Sequence, residues 1–516
     1  MSKPERIETR LFINGKFVEA SDKKTFPIYS PHTQEKVAEG INTPSFSVST
    51  LQPTPPQTPT KPTLTSPTVS EATAEDTDAA VKAALKAFPS WSALSPKDRG
   101  VHLKKLASLI RASHKELAWL EAMSMGRPVS QYIDAFAAAD DYDHYAEVGY
   151  DAQGTSSLNT PGFVNLTFRQ PYGVVAAIIP WNVPALFFAK KSAPALMAGN
   201  TVVVKSSEKA PLTSAYIAGL IEKAGFPPGV FNVLSGHGNV SGAVLSSHMD
   251  VRALSFTGSC RTGKTIQAAA AKSNLKSVIL ELGGKSPAIV FDDADLDAAV
   301  EETQHSVQWN SGQVCMANTR LYVHSKIADK FVEKFKARFV KIKPGDPTDA
   351  DTNHGPQADK VQYDNVQRYI ELARKAGELV LGGEPLEVSG DVKGGYFVAP
   401  TVFLKTGEDE VVMKEEIFGP VIHINTFESE EEVIKKANDT EFGLYASVYT
   451  KNIDRAMRFA KALDSGTVGV NCTSPTGAKD VPFGGYKQSG QGREGHKVSL
   501  DNFLETKTVL IKVAAT

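Results

Sequence analysis

The sequence predicts an α/β protein in which helices cover parallel sheets. Three short β-branched runs carry that reading: Val174-Val-Ala-Ala-Ile-Ile179, Thr201-Val-Val-Val204 and Phe231-Asn-Val-Leu234. Segments 212–224 and 241–247, between and after them, have helical periodicity. Strands that alternate with helices build parallel sheets. A second alternating set opens at Pro287-Ala-Ile-Val290 and runs past Val448, so two α/β lobes are expected, with no internal repeat.

A chain of 516 residues can bury cores for two or more domains. Its 41% hydrophobic and 22% charged content is that of an ordinary globular protein. The formal net charge of −2 supplies no global field toward nucleic acid or an anionic membrane, so neither is expected as a partner. Cys260, Cys315 and Cys472 are too few for a disulfide framework and suit a reducing compartment. Residues 1–10 hold five charges and no apolar run, so neither a secretory signal nor a membrane span is read there. A cytoplasmic location is the expectation, and no metal is expected.

Along the chain, the stretch 42–70 is the first departure from the pattern. Ser, Thr and Pro fill 20 of its 29 residues and Lys61 is its one charge, so it lacks the apolar surface that would offset ordering it. A flexible loop is expected there, between a strand-like 36–39 and a helix beginning near Asp78.

Farther on, Gly258-Ser-Cys-Arg-Thr-Gly-Lys264-Thr265 fits the phosphate-loop pattern in full. A plausible strand, 251–257, precedes it and a helical run, 265–272, follows. The motif asks whether the chain is an ATPase.

Three other segments carry candidate chemistry. Gln308-Trp-Asn-Ser-Gly-Gln-Val-Cys315 puts a thiol among small polar residues at a loop-to-helix junction. A lone cysteine is more often a small buried hydrophobe, but a helix N-terminus would favour its thiolate. Glu281 ends the apolar strand 278–280 before two glycines; it is either a solvated strand-end residue or, in a dry cleft, a general base. Asn182, after Ile179-Pro-Trp181, is either a helix cap or a free amide donor, and Pro184 suits the first turn of the next helix.

Taken in order, the motifs resemble one family. They are Pro180-Trp-Asn182, Gly199-Asn-Thr-Val-Val-Val-Lys205-Ser-Ser-Glu208, Phe256-Thr-Gly-Ser259, Glu281-Leu-Gly-Gly284, Gly312-Gln-Val-Cys315, Glu416-Ile-Phe-Gly-Pro420 and Pro482-Phe-Gly-Gly485. Their pattern is similar to that of the NAD(P)-dependent aldehyde dehydrogenases, in the hydrolytic, broad-specificity branch. The resemblance runs from about Phe12 to Leu510, interrupted mainly by 42–70.

The resemblance implies a Rossmann-like cofactor domain (1–150 and 171–282), an α/β catalytic domain (283–482) and a β-hairpin oligomerisation arm (151–170 with 496–516). It implies that 256–259 is the turn beside the cofactor pyrophosphate, with Lys264 and Thr265 inside the following helix, so the phosphate-loop match is coincidental. Cys315 would attack the aldehyde carbon, and Asn182 with the Cys315 N–H would hold the oxyanion. Glu281 would activate water against the resulting thioester, and Lys191 would join a proton relay through water.

By the same resemblance, Lys205 and Glu208 hold the adenosine ribose. A carboxylate there disfavours a 2′-phosphate and so prefers NAD; NADP stays possible through Lys205, Ser206 and Ser207. Gly238 lies near the adenine, Gly258 and Ser259 at the pyrophosphate, Glu416 at the nicotinamide ribose, and Trp181 and Phe418 at the nicotinamide end.

The substrate pocket departs from the family's usual aromatics. Val183, Phe187 and Lys190 share a helix face, and Val183 and Lys190 stand where close relatives carry aromatics. No aromatic stands near Thr476, in a loop one residue longer than usual, while Phe483 remains. A wider, more polar tunnel is expected, with a cation at Lys190 or a lysine that snorkels to the surface. The alternatives are a CoA-acylating relative, which commonly lacks a base like Glu281, and a non-catalytic protein on the same fold, which has no use for Cys315, Glu281 and Asn182 together. A homodimer or homotetramer is expected from the arm.

Overall fold

Two large sheets order the computed structural model, which describes residues 3–37, 68–386, 388, 390–475, 477–478 and 480–513. In the first, five parallel strands lie in the order Phe231–Leu234, Thr201–Lys205, Val174–Ile178, Val251–Thr257 and Ser277–Glu281. The antiparallel pair Leu11–Ile13 and Lys16–Val18 closes one edge, and Gly490–Gln491 closes the other. The chain winds outward from Val174–Ile178 to one side, then returns to Val251–Thr257 on the other. That reversal leaves a crevice at the carboxyl ends of these two strands, where ligands of doubly wound sheets bind.

Each central strand is buried on both faces, as its continuous apolar run requires. Val175, Ala177, Val202 and Val204 pack beneath the helices Pro96–Ala112, Asp134–Val148 and Pro184–Met197. Val174, Ala176, Val203 and Leu254 face the other way, toward Ala74–Ser92 and Cys260–Lys272. Period-two alternation thus feeds two separate cores.

The second sheet runs Glu378–Leu381, Thr401–Leu404, Val421–Phe427, Asn318–His324, Ser286–Val290, Tyr445–Tyr449, Thr467–Val470, antiparallel only in its first pair. A third, antiparallel sheet pairs Leu504–Lys512 with Phe163–Pro171, and the latter with Ser156–Ser157. Residues 496–502, placed with the arm from the sequence, form a helix, His496–Asn502, with Leu500 in the first core.

Several local expectations need correction. Thr68–Ser70 is not loop: it pairs with Thr25–Pro27, and Val69 is buried against Phe26 and Ile28. Residues 42–67 lie outside the described residues. The next helix starts at Ala74, not near Asp78, because Thr73 and Asp76 form a capping box there. Of the run 36–39 read as strand-like, Lys36 bridges Tyr29, and residues 38 and 39 lie outside the described residues. Residues 241–242 belong to a π-helical turn, Gly238–Gly242, and the α-helix proper is Ala243–Ser247. Among the described residues, no helix is long and apolar enough to cross a membrane.

Candidate active site

The crevice collects its polar side chains from strand ends. After Val174–Ile178 the chain turns through Trp181 and Asn182 into the helix Pro184–Met197, with proline at its start. Val183, not Asn182, is the N-cap residue, so Asn182 is no helix cap. It is buried, and its Nδ2 donates to the Gln313 carbonyl at 3.0 Å. A primary amide has two hydrogens, and the second has no acceptor among the described residues.

Cys315 does not begin a helix. It follows the tight turn Trp309–Gly312 and precedes the strand Asn318–His324. Asn310, Ser311 and Gly312 are all left-handed, at φ 49°, 52° and 77°. Only glycine fits position 312, because a Cβ there would stand 2.2 Å from the Gly419 carbonyl. Hydrogen bonds fix the turn: Asn310 Nδ2 donates to the Asn182 carbonyl at 3.1 Å, Ser311 Oγ to the Gly355 carbonyl at 2.7 Å, and the Ala358 N–H to Gln313 Oε1 at 2.9 Å. Asn182 and Cys315 are thereby locked to one scaffold.

Without a helix N-terminus, the expected lowering of the thiol is reversed. Burial, with the Glu281 and Glu416 carboxylates adding, pushes the Cys315 thiol well above its ordinary range. Facing it, Glu281 ends the strand Ser277–Glu281 and is 1% exposed. Burial lifts its carboxyl to about 7, with Glu494 adding and Lys191 opposing. Among the described residues neither Glu281 oxygen has a partner within ordinary hydrogen-bond geometry, and the side chain that interacts with it most directly is the Cys315 thiol. A buried carboxyl left unpaired this way is costly to the fold, which is why such groups collect where chemistry is done.

Lys191 is fully buried, and its Nζ donates to Glu494 Oε1 at 2.6 Å and to Ser255 Oγ at 3.0 Å. Its partner Glu494 escaped the sequence reading. The signal available was one acid in the glycine-rich run Gly490-Gln-Gly-Arg-Glu494-Gly, 303 residues from Lys191. Gln313 and Asn310, which hold the turn, were missed as well.

The remaining positions fall along the same crevice. Lys205 ends its strand, buried, with Nζ 3.3 Å from Glu208 Oε2. Burial raises the Glu208 carboxyl, but the Lys205 charge, the Glu208 backbone N–H and the hydrogen bond from Lys205 together outweigh this and leave it below the usual range. Ser259 caps the helix Cys260–Lys272, accepting from the Thr262 N–H, while the Gly258 N–H bonds the Glu281 carbonyl at 3.1 Å. Lys264 and Thr265 lie inside that helix, bonded to Gln488 Oε1 and the Arg261 carbonyl. No phosphate loop exists here.

Glu416 Oε1 accepts from the Gly284 N–H at 2.9 Å. A Cβ at Gly283 would stand 2.3 Å from the Glu416 carboxylate, so that approach requires glycine. Trp181 and Phe418 meet edge to face at 5.5 Å between centroids. A Cβ at Gly238 would meet nothing within 4 Å. Val183 and Phe187 are buried, whereas Lys190 is half-buried with its Nζ over the Phe483 ring at 5.0 Å. Thr476 lies outside the described residues. Among those residues no group of His, Cys, Asp and Glu is placed to hold a metal.

A doubly wound sheet whose crevice sets a thiol against a titratable carboxyl has the groups of an enzyme site. The chain belongs to the aldehyde dehydrogenase family, whose model matches residues 56–509. Aldehyde dehydrogenase 1 of Tanacetum cinerariifolium is 43% identical over 97% of this chain and 94% of its own length. Among solved structures, aldehyde dehydrogenase KauB from Pseudomonas aeruginosa matches with a TM-score of 0.90 at 39% identity, covering 98% of this chain and 97% of that one. An indole-3-acetaldehyde dehydrogenase from P. syringae, in complex with NAD+ and IAA, matches with a TM-score of 0.90 at 37% identity, covering 98% and 97%. The fold is therefore the aldehyde dehydrogenase fold, and the chain is an oxidoreductase of that family.

Proposed function

We propose that this chain oxidises a polar or bulky aldehyde to the carboxylic acid with NAD+, through a covalent intermediate on Cys315. The observation that carries the reading is the pair formed by the half-buried Cys315 thiol and the buried Glu281 carboxyl that faces it, whose oxygens have no conventional hydrogen-bond partner among the described residues. With the thiol pushed up and the carboxyl near 7, Glu281 is the group placed to take the thiol proton. The sulfur attacks the aldehyde carbon. The oxyanion takes the second Asn182 amide hydrogen and the Cys315 N–H, each worth about 3–4 kcal/mol in comparable sites.

The residues fit a dinucleotide: the first turn of Cys260–Lys272 offers free N–H groups to a pyrophosphate, and Glu208, paired to Lys205, suits ribose hydroxyls. Trp181, Gly238, Gly258, Ser259, Glu416 and Phe418 complete that strip, which favours NAD and leaves NADP possible. NAD+, when bound, supplies the acceptor for the hydride that the aldehyde carbon gives up. Glu281, once it has released the thiol proton to solvent, takes a proton from the water that attacks the thioester. The Cys315 sulfur leaves as thiolate with the acid as product, and the buried Lys191–Glu494 pair holds the charge balance behind Glu281. The domain division expected from the sequence, the oligomeric arm and a cytoplasmic location belong to the same proposal.

NADH formation from an aldehyde and NAD+, with and without CoA, tests the reading. Turnover should need no CoA and should fall at least about a thousandfold in Cys315→Ala, as when a nucleophile is removed elsewhere. Cys260→Ala and Cys472→Ala should retain it. Dependence on CoA, or turnover in the Cys315 variant, would sink the assignment.

A further inference from the structure

We propose that Lys190 selects aldehydes whose far end carries a carboxylate, so that the substrates are semialdehydes of dicarboxylic acids. The inference rests on the function proposed above and names the substrate class of that site.

Consecutive residues of Pro184–Met197 send two lysines into different surroundings. Lys191 turns inward and is neutralised by Glu494. Lys190 turns toward Phe483, whose backbone exchanges hydrogen bonds with Glu494 at 2.7 Å each way. The Nζ therefore lies over an aromatic ring that is itself anchored to the active-site cluster. A snorkelling lysine extends into water, whereas this one is half-buried and held over a ring face.

Among the described residues Lys190 has no acidic partner and no hydrogen-bond acceptor. Its charge nevertheless reaches the reacting groups, since it opposes the upward shifts of both Cys315 and Glu281. Phe187 packs under Lys191, whose Nζ lies 5.4 Å from its ring centroid, so the apolar surface beside the Lys190 charge is the Phe483 ring. The geometry is that of a half-buried cation held over the Phe483 ring, without an acidic partner among the described residues and within electrostatic reach of Cys315 and Glu281. Such a cation matters here because Glu281 and Glu416 would otherwise repel an anionic substrate. An aldehyde with a carboxylate a few carbons from its carbonyl completes the ion pair that the fold leaves open.

The test compares short ω-oxo carboxylates with their methyl esters, equal in length but neutral. In the wild-type enzyme kcat/KM should favour the acids. In Lys190→Gln the acid-to-ester ratio should fall about ten- to a hundredfold, as for a partly desolvated charge-assisted contact, and Lys190→Arg should keep most of it. A uniform loss on acid and ester alike would mean that Lys190 acts on the thiol instead, and would overturn the proposal, as would an unchanged ratio. A second measurement needs no variant: the unreactive dicarboxylates should inhibit ester oxidation more strongly than their half-esters, and equal inhibition would overturn the proposal too. Oxidation of the esters without preference for the acids defeats this inference alone. Failure to oxidise either with NAD+ defeats the parent reading with it.

Discussion

At the scale of single residues, the site is governed by two shifted groups that face each other. Glu281 becomes a base only when ionised, so the rate limited by thioester hydrolysis should rise as pH rises through about 7 and level off above it. A pH profile of kcat checks this, and a rate that falls across that window would contradict it. Glu281→Gln should do more than stall hydrolysis, because the thiol it faces is held protonated. The burst of NADH should be slow near neutrality and quicken with rising pH, as the thiol ionises unaided, while steady turnover stays low. Rapid-quench detection of the acyl-enzyme reads both phases; a fast burst at neutral pH would show that another group takes the thiol proton. Cys315, Glu281 and Asn182 stood out in the sequence because each sits in a distinctive short motif, and the fold brings the three to one crevice. The thiol's environment was not. Asn310-Ser-Gly312 gave no sign that three consecutive left-handed residues would end the helix before Cys315, and that turn decides whether a helix dipole or a carboxylate sets its proton affinity.

At the scale of elements, the 42–70 stretch divides at a physical boundary. Val37 and Thr68, which flank residues 42–67, lie close together: the Val37 N–H bonds the Ile28 carbonyl at 2.9 Å, and Thr68 pairs with Pro27. Replacing 42–67 by a short Gly-Ser join should therefore leave activity intact. Shortening closure from roughly thirty residues to roughly six changes its entropy by only about 1.4 kcal/mol, in the stabilising direction. Extending the deletion through Ser70 removes a paired strand and the buried Val69, a loss of about 1.5–3 kcal/mol from that side chain alone. Thermal melts of the two deletions should separate them, and equal stability would show that the Thr25–Pro27 pairing contributes nothing. Composition identified the low-complexity run, but three residues of strand at its end are too few for periodicity to register. The phosphate-loop match failed for a related reason. Eight residues fit a pattern, while the Ser259 cap that starts the helix at Cys260 carries Lys264 away from the turn.

At the scale of the whole molecule, the strand rhythm showed two α/β lobes, but the sheet closures came from distant chain. Gly490–Gln491 joins the first sheet beside Ser277–Glu281, and Glu494 follows it into the active site. Periodicity within a window carries no such information. The same long reach builds the third sheet, where Leu504–Lys512 runs antiparallel to Phe163–Pro171 over nine residue pairs. Its other edge has no strand partner among the described residues. Leu510 is 65% exposed, and Phe168, Ile511 and Val513 are exposed with it. A long, regular edge with apolar side chains pairs with other chains unless it is covered. Closed symmetric assembly is the usual cover, so this sheet should be the contact that makes a dimer or tetramer. Leu510→Glu places a charge in that contact. A charge left unpaired at an interface costs several kcal/mol, enough to lower association by at least about a hundredfold. Sedimentation of wild type and variant at matched concentration should show the variant as a smaller species with an unchanged far-ultraviolet spectrum. An identical mass for both would place the subunit contact on another face.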